Sequence, residues 1–593
     1  MTKVFVEPIG VTVEVEDGDS LLAAVSHAGV SVPASCGGRG TCGKCLVRLG
    51  AGELSTPSEE EAKRLSPALL QQGWRLACQA YPLSERVSVE VRETKGRRQI
   101  LTASRLTHGE ADPAVTREAV ALAPPTLEDP RSDEERIRQQ LGVAEVPLGV
   151  LRALPDTLRE GGWRAMFTRY GRRLVDVEPA DADPRAFGAA VDVGTSKIIA
   201  YLFDLSAGKL VDQEAIENPQ MRFGEDIVTR ITQAMHEGRL ADLTAAAREG
   251  INETLARLCN RQEIEARHIY DLTVVGNTAM HHLALGVSPS GLGGAPFAPA
   301  VDRPLSLRAA ELGLEVNPEA GVYFLPPIAG FVGSDCLAVV AATRLESKRE
   351  PALAIDIGTN TEIALVHEGR IVVTSCASGP AFEGYQLRCG MKAAEGAIER
   401  VTIDAAGEPA AIETIGNGRP VGICGSGVVD ILAGLVASGV VDSSGRMQAE
   451  AARVRRNEEG LEYLLTEGAA GDIVFTQHDV RNLQLAKAAI VAGWSLLLEH
   501  EDLSPADLRH VYVAGAFGNY LDLQHALAIG LLPPVAAERV AFVGNAAGVG
   551  AQMALIDTHA RGRIAELAQR IAFLELATHQ GFHEVFTRAL TFA

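Results

Sequence analysis

The sequence lacks an apolar run long enough to cross a bilayer. Its longest stretches, such as IVAGWSLLL at 490–498, fall well short of the ~20 residues a membrane helix needs. The first ten residues, MTKVFVEPIG, hold no apolar h-region, so no signal peptide is expected. Basic residues are in deficit: 55 Lys plus Arg against 76 Asp plus Glu give a formal charge of −21. A nucleic-acid footprint wants clustered basic surface, so neither nucleic acid nor membrane is an expected partner. A nucleotide stays admissible, because backbone N–H groups and a metal ion can hold phosphates. Cysteine is scarce beyond residue 78. Of nine, four lie in the first 78 residues and five (Cys259, Cys336, Cys376, Cys389, Cys424) are scattered. That spacing excludes a dense disulfide scaffold. The scattered five read as small buried hydrophobes, and a reducing cytoplasm fits.

What is present is 47% apolar and 22% charged over 593 residues, an ordinary globular balance spread over too long a chain for one core. Three composition regimes follow one another. Residues 1–93 open with two alternating runs, VFVEP and VTVEVED, around a short turn, the pattern of a β-hairpin. DSLLAAVSHAGV then places Leu21, Leu22, Val25 and Ala28 on one helical face behind Asp19 or Ser20 as cap. LVRL and VSVEV supply later strands. Residues 94–184 are rich in Pro and charge; we read 94–127 as a linker and 128–184 as a small, partly helical middle domain. From 185 to 593 apolar strands and Ala-rich helices return.

The last regime contains a repeat. GAAVDVGTSKIIAYLFD (188–204) aligns without gaps on ALAIDIGTNTEIALVHE (352–368), and a third strand, KLVDQEA or RIVVTSCA, follows each copy. Two copies imply two like-folded subdomains facing each other across a cleft, the usual place for a ligand. In each Asp-x-Gly-Thr turn, Asp192 or Asp356 can hold hydrated Mg²⁺, which keeps most of its waters. Gly194 or Gly358 lets the backbone approach a phosphate, and Thr195 or Thr359 supplies an N–H and a hydroxyl. Ser196 and Asn360 complete the turns. Lys197 either touches a phosphate or is solvated. Glu362 either orients an attacking water or faces solvent. His281 and His282 suit a cap or core role better than a metal, since adjacent residues diverge on a helix.

Near the N-terminus, PASCGGRGTCGKCLVRL gives Cys36-x5-Cys42-x2-Cys45, and Cys78 follows after 32 intervening residues. Four thiolates are the usual ligand set of a [2Fe–2S] centre, and Gly37, Gly38, Gly40 and Gly43 let the loop wrap closely around one. A structural zinc site would more often offer two separated Cys pairs. Gly38-x4-Gly43-Lys44 begins like a P-loop, but Cys45 stands where Ser or Thr belongs. The spacing is similar to that of the adrenodoxin and putidaredoxin type.

The Asp-x-Gly-Thr pair resembles the two phosphate loops of the acetate and sugar kinase, heat-shock chaperone and actin (ASKHA) superfamily. HVYVAGAFGNYLD (510–522) is similar to its adenosine loop, with Gly515 and Gly518 opening a helix. TVVGNTAMHHLALG (273–286) and AFVGNAAGVGAQMAL (541–555) stand where that family has its connecting helices. Gly425, Ser426 and Gly427, in ICGSGVVD, form another strand-to-helix turn beside the nucleotide, or simply a close packing of strand on helix. The fold class expected is therefore mixed, α+β and α/β: an N-terminal β-grasp ferredoxin, a linker and small middle domain, and a C-terminal duplicated actin-like ATPase.

A ferredoxin joined to an ASKHA ATPase resembles, over nearly the full length, the reductive activators of corrinoid proteins. That resemblance implies one-electron reduction of inactive Co(II) to methyl-accepting Co(I), with ATP driving the cycle. The cofactors implied are a [2Fe–2S] cluster, ATP and Mg²⁺. The partners implied are a corrinoid protein or methyltransferase and an electron donor that the sequence does not name, with a homodimer left open. A [2Fe–2S] ferredoxin sits near ~−400 mV and the corrinoid couple lies lower, so transfer is uphill, tenfold in equilibrium for each ~59 mV. Docking can close that gap only by distinguishing the partner's redox states. SCASGPAFEG (375–384) is the segment we assign to corrinoid contact through Ser378 or Glu383; the alternative is an ordinary Gly-Pro loop beside the nucleotide. Three rivals stand beside this reading. One is an activator of dehydratases or aryl-CoA reductases with a [4Fe–4S] cluster on residues such as Cys376 or Cys424. The others are a small-molecule kinase with a fused redox domain and a nucleotide-gated scaffold.

Overall fold

The computed structural model describes the chain except residues 1, 8–10, 16–17, 29–39, 41–44, 66, 92–96, 99–110, 225, 237, 385, 392, 469–470, 516–520 and 593. It divides into two compact units. One comprises residues 1–100, 347–545 and 574–593; the other comprises 101–346 and 546–573.

In the first unit, β1 (Thr2–Glu7), β2 (Val11–Val15), β3 (Leu46–Ala51), β4 (Trp74–Leu76) and β5 (Arg86–Val91) form one sheet in the order β2-β1-β5-β3-β4. The expected hairpin is β1 on β2, with Val4 opposite Val13. Period-two alternation turns Val4, Val6, Val87 and Val89 inward, where they meet Leu21 and Val25 of the helix Leu21–His27. One helix across a mixed five-stranded sheet is the β-grasp arrangement. Beneath its rim, Glu61 is fully buried and accepts Arg75 Nε and Nη2, both at 2.8 Å, and the Leu76 N–H at 3.0 Å. Further along this unit, β6 (Arg97–Arg98) pairs at the edge of the sheet built later by residues 352–544.

The second unit opens with β7 (Val115–Ala121), β8 (Arg164–Tyr170) and β9 (Arg173–Pro179), an antiparallel sheet. Two helices, Asp133–Leu141 and Leu148–Glu160, accompany it, the latter burying Val150, Leu154 and Leu158. Strand β7 therefore begins at 115, inside the stretch read as linker up to 127. VTREAVA misleads because it lies at a sheet edge, so its polar residues are exposed and carry no apolar signal. Buried charge ties this small sheet to its neighbour. Arg117 pairs with Glu178 and donates to Thr168 Oγ1 (2.6 Å) and the Tyr270 hydroxyl (2.9 Å). Arg561 donates to Asp271 Oδ2 (2.5 Å) and to the Tyr170 hydroxyl (2.9 Å).

That neighbour is a six-stranded sheet: β10 (Phe187–Val193), β11 (Lys197–Asp204), β12 (Lys209–Glu217), β13 (Ile269–Gly276), β14 (Leu305–Arg308) and β15 (Gly321–Phe324). Its order is β12-β11-β10-β13-β15-β14, with β10–β13 and β13–β15 parallel. The first unit contains the same plan. There β16 (Ala352–Ile357), β17 (Thr361–His367) and β18 (Arg370–Cys376) form the meander. Beyond a small sheet of β19 (Ala397–Ile403), β20 (Pro409–Thr414) and β21 (Gly422–Ile423), and another of β22 (Val454–Asn457), β23 (Gly460–Gly468) and β24 (Gly471–Thr476), β25 (His510–Ala514) and β26 (Val540–Gly544) join it in parallel. Both halves thus run third, second, first, fourth strand across the sheet, followed by one more parallel strand, β15 in one and β26 in the other. This is the duplicated fold the repeat predicts.

The helix Thr278–Leu285 settles the histidine pair. His282 bonds the Thr278 carbonyl through Nδ1 (2.7 Å) and accepts the Ala300 N–H at Nε2 (2.9 Å), so it is a neutral core residue. His281 packs edge-on against Phe324 at 5.3 Å and finds no hydrogen-bond partner among the described residues. Burial, helped by His282, pushes its pKa down to about 3. An unfolded chain takes up that proton near pH 6.5 and the folded one does not, so stability falls as pH drops below 6.5. The slope expected from this group is about 1.4 kcal/mol per pH unit. His281→Leu is expected to shallow the acid side of a urea-unfolding series by that amount; identical slopes would refute the assignment.

Candidate functional site

At the N-terminal end, the β3–β4 ladder sets Leu46 opposite Leu76, and the Ala77 N–H donates to the Cys45 carbonyl at 2.7 Å. That register brings together two cysteines 33 residues apart, with Sγ atoms 3.3 Å from each other, both buried and without a disulfide. Two sulfurs on one tetrahedral ion with ~2.3 Å bonds lie ~3.8 Å apart, so the pair suits a shared metal. Gln79 Nε2 lies 3.8 Å from Cys78 Sγ, where it can stabilise thiolate charge. Its side chain packs over Gly40, where φ is +76° and a Cβ would come within 2.9 Å of the Gln79 side chain. Cys36 and Cys42 lie outside the described residues.

In the second unit, Asp192 ends β10 opposite Ile199 and beside Val275 of β13. The turn after it is braced from below. Asn218 Nδ2 donates to the Gly194 carbonyl (2.8 Å), Asn277 Nδ2 to Thr195 Oγ1 (3.1 Å), and buried Arg230 to the Thr195 carbonyl (2.7 Å). Ser196 is buried and its carbonyl accepts the Asn218 N–H, whereas Lys197 is exposed at the start of β11. The structure adds one residue that sequence reasoning missed. Asp335, in the first turn of the helix Ser334–Ala342, feels burial and then the charge of Asp192, which together push its pKa up to about 7. Its signal was GFVGSD, another glycine turn opening a helix with a carboxylate in the first turn.

In the first unit, Asp356 pairs with Glu362 across the hairpin and with Ala514 of β25. Glu362 pairs in turn with Ser375, whose hydroxyl lies 3.4 Å from Glu362 Oε1. Ser375, Glu362, Asp356 and Ala514 therefore form one row. Glu362 is 8% exposed, so of its two readings solvent-facing is the one set aside. Although the copies align without gaps, their hairpins differ. The ladder closes at Val193–Ile198 in one and Ile357–Thr361 in the other, leaving four residues in one turn and three in the other. The tighter register is what places a second carboxylate opposite Asp356.

The hydroxyls around this turn are spoken for. Thr359 Oγ1 donates to Glu383 Oε1 at 2.8 Å, and Ser378 lies within bonding distance of Thr361 Oγ1 (2.8 Å) and the Gly358 carbonyl (3.3 Å). Ser378 is buried. Both residues assigned to corrinoid contact thus point at the phosphate turn, while Ala377 is the exposed member of the segment. With Thr359 engaged, Gly358, Thr359 and Asn360 offer a phosphate their backbone N–H groups rather than that hydroxyl.

Gly515 has φ of +96°, and a Cβ there would lie 2.4 Å from the Ile357 carbonyl and 2.9 Å from Asp356 Oδ1. Gly515 therefore abuts the turn that follows Asp356. Gly518 lies outside the described residues. Gly425, Ser426 and Gly427 open the buried helix Gly425–Ala437. A Cβ on Gly427 would meet the Ile398 carbonyl at 2.5 Å, so close strand-on-helix packing accounts for that glycine. Cys424 donates to the Ile398 carbonyl and Cys376 is buried, with its thiol pKa pushed up by burial. Both behave as core thiols rather than cluster ligands. Among the described residues no helix is long and apolar enough to cross a membrane.

Family models match in series along the chain. A 2Fe-2S iron-sulfur cluster binding domain covers residues 4–83, the RACo linker region 104–184, the RACo middle region 187–348 and the C-terminal ASKHA domain of RACo 350–593. The corrinoid activation enzyme RamQ of Eubacterium limosum is 32% identical over 97% of this chain and 96% of its own. The chain belongs to the RACo family, the reductive activators of corrinoid proteins. A [Co(II) methylated amine-specific corrinoid protein] reductase of Methanosarcina barkeri is 25% identical, covering 68% of this chain and 77% of its own. A solved reductive activator for corrinoid, iron-sulfur protein superposes with TM-score 0.77 at 34% identity, covering 100% and 98%. In RACo terms the small sheet β7–β9 belongs to the linker region, and β10–β15 to the middle region. The family's ASKHA and cluster domains support ATP and an iron–sulfur cluster as cofactors. Gly515→Ala is expected to weaken ATP binding by about tenfold or more, the cost of an L residue at positive φ against a backbone carbonyl. Equilibrium binding checks this, and unchanged affinity would remove Gly515 from the site. Cys78→Ser is expected to lose the visible cluster absorption with the fold intact by circular dichroism.

Proposed function

We propose that this RACo member passes one electron from its N-terminal cluster domain to Co(II) of a corrinoid protein, restoring Co(I), in a cycle gated by ATP. The observation that carries the reading is the conjunction in one chain of converging Cys45 and Cys78 sulfurs and two Asp-x-Gly-Thr turns. The full-length likeness to corrinoid activators supports it. Cys36, Cys42, Cys45 and Cys78 would hold the [2Fe–2S] cluster, whose chemistry is to store and release a single electron.

The chain's own residues divide the remaining work. Gly194 to Lys197 and Gly358 to Asn360 offer phosphate-facing turns, and Asp356 with Glu362 across from it gives a paired carboxylate suited to hydrated Mg²⁺. Asp335, in the first turn of its helix and within the field of Asp192, is our candidate for the group that accepts a proton from an attacking water. Ser378 and Glu383 bond the phosphate turn directly, so occupancy of that turn is felt in the segment 375–384 that we assign to the corrinoid protein. A low-potential donor reloads the cluster domain. The cytoplasm suits both the thiolate ligands and such a donor.

The test mixes dithionite-reduced protein with a Co(II) corrinoid protein and follows Co(I) absorbance with and without ATP. ATP-dependent Co(I) formation is expected, abolished in Asp356→Ala. Asp335→Asn is expected to lower ATP turnover about 10²-fold while leaving ATP binding near its original strength. Phosphoryl transfer to a metabolite with no Co(I) formed would overturn the reading.

A further inference from the structure

Beneath the turn that follows Asp192 lies a buried cation. Arg230, on the helix Ile227–His236, is fully buried and among the largest side chains that are. A buried charge is costly unless it is paired and hydrogen-bonded. Among the described residues Arg230 forms no ion pair with a carboxylate and spends its donors on neutral groups. Nε donates to the Gly224 carbonyl (2.8 Å) and Nη2 to the Thr195 carbonyl (2.7 Å). Nη1 lies 3.3 Å from Met280 Sδ and 3.5 Å from Gln220 Oε1. Asp226, whose charge acts on Arg230, gives its own oxygens to the Thr229 N–H (2.8 Å) and hydroxyl (2.7 Å). Burial lowers the Arg230 pKa to about 10, which leaves it charged at neutral pH.

The turn is fastened through three consecutive carbonyls. Asn218, fully buried, donates from Nδ2 to the Gly194 carbonyl (2.8 Å) and from its backbone N–H to the Ser196 carbonyl (2.9 Å). Arg230 takes the Thr195 carbonyl between them. Both side chains also border Gln220 Oε1 and Met280 Sδ, so they reach the turn from one place. Gln220 is itself fixed, its Nε2 donating to the Leu243 carbonyl at 2.9 Å. A planar trans peptide carries its N–H antiparallel to its C=O. The Thr195–Ser196 peptide, held by its oxygen on Arg230, therefore sets the Ser196 N–H in the opposite direction. A cation on that oxygen also polarises the peptide, which makes its N–H a stronger donor to an anion.

We propose that Arg230 is a positioning residue for ATP: it orients the Thr195–Ser196 peptide toward the phosphates and supplies a positive charge that theirs offsets. The inference rests on the reading of 194–197 as a phosphate-facing turn. To that reading it adds the residue that makes the turn sensitive to the number of phosphates. Arg230 is a positioning residue because it acts through the Thr195 carbonyl. Asn218 braces the neighbouring peptides with hydrogen bonds but brings no charge. Lys197 brings a charge but is exposed, where water and salt screen it. Arg230, shut away from solvent, acts on an anion at the turn through a lower dielectric. Its contribution therefore grows with ligand charge, from AMP through ADP to ATP.

Calorimetry on the full-length protein measures Kd for ATP, ADP and AMP. Arg230→Met is expected to weaken ATP about thirtyfold, ADP less, and AMP by no more than about twofold, the scale of one charge removed near an anion at an effective dielectric of ~20. Arg230→Lys, which keeps the charge, is expected to stay within about threefold of wild type for all three. Arg230→Gln, which keeps a donor without the charge, is expected to follow Arg230→Met. It carries the contrast with Arg230→Lys if circular dichroism shows the methionine variant unfolded. An equal loss for all three nucleotides marks a purely structural role and overturns the proposal. So does an Arg230→Lys variant as weak as Arg230→Gln. Gly194→Ala separates the proposal from the reading beneath it, since a Cβ there would meet the Lys197 carbonyl at 2.9 Å. Unchanged ATP affinity in Gly194→Ala overturns the phosphate reading of this turn and the proposal with it. Weakened affinity there, beside wild-type affinity in Arg230→Gln, overturns only the role of Arg230.

Discussion

A three-residue turn joins β16 to β17, and its tightness decides which side chain lies across from Asp356. Directly opposed residues in an antiparallel pair share a face and sit about 5 Å apart. Here the ladder opposes two carboxylates, Asp356 and Glu362, an arrangement that repels unless a cation or protons intervene. The backbone makes the same demand from the other side. Gly515 brings its main chain so close to Asp356 Oδ1 and the Ile357 carbonyl that no side chain fits between. Oxygen-rich and closely packed, this strand end suits a hard cation with its own water and a phosphate held by N–H groups. The first copy, one residue looser, sets Ile199 opposite Asp192 and obtains its second carboxylate from elsewhere, at Asp335. Duplication gave two similar frames, and a one-residue difference in turn length gave them different chemistry.

The cluster end obeys a related constraint with softer ligands. Strand register, not sequence proximity, brings Cys45 to Cys78, and the buried Glu61–Arg75 pair holds β4 where that register needs it. A buried ion pair is weak evidence for net stability, but breaking one by removing a single partner typically costs about 3–5 kcal/mol. Placing such a pair on β4 itself, where Arg75 lies opposite Val47, therefore makes the sulfur geometry depend on a polar core. The second unit repeats the device on a larger scale. Arg117 and Arg561 bind adjacent residues of β13, Tyr270 and Asp271, so the small sheet is held to the strand whose far end supplies Asn277 to the phosphate turn.

Much of this was legible in the residues. Alternating valines gave the β-grasp strands, four cysteines gave the cluster domain, and the repeated Asp-x-Gly-Thr gave the duplicated sheet. What stayed hidden shares a physical cause: it depends on register or on long-range packing. The gapless alignment of the two copies implied identical hairpins, yet a one-residue slip changes every cross-strand partner without altering a letter. Asp335 was missed because its turn follows β15 after a Pro-containing approach, outside the gapless repeat of 188–204 on 352–368. Strand β7 was missed because an edge strand with one exposed face has the composition of a linker. Gly427 looked like a phosphate glycine and is accounted for by the Ile398 carbonyl against which its helix packs. Ser378 was assigned to corrinoid contact; its hydroxyl lies instead within bonding distance of the Gly358 and Thr359 carbonyls.

That inward turn bears on how ATP could alter a redox partner at all. A ligand shifts a conformational equilibrium only by the difference in its contacts between the two states. In this structure the Thr359 hydroxyl donates to the Glu383 carboxylate, and Ser378 bonds the Gly358 carbonyl and Thr361. A phosphate drawn onto the N–H groups of 358–360 brings negative charge toward Glu383 and competes with it for this turn. Neutral hydrogen bonds contribute about 0.5–1.5 kcal/mol and those to a charged group about 1.5–3. Exchanging the three contacts thus amounts to a few kcal/mol, within the range typical of coupled sites, where 1–3 kcal/mol corresponds to 5–150-fold. No long pathway is required, because the turn that meets the phosphate and the segment 375–384 share these bonds. On the proposed reading the nucleotide and the partner act on one small set of hydroxyls, and each is felt by the other to the same extent.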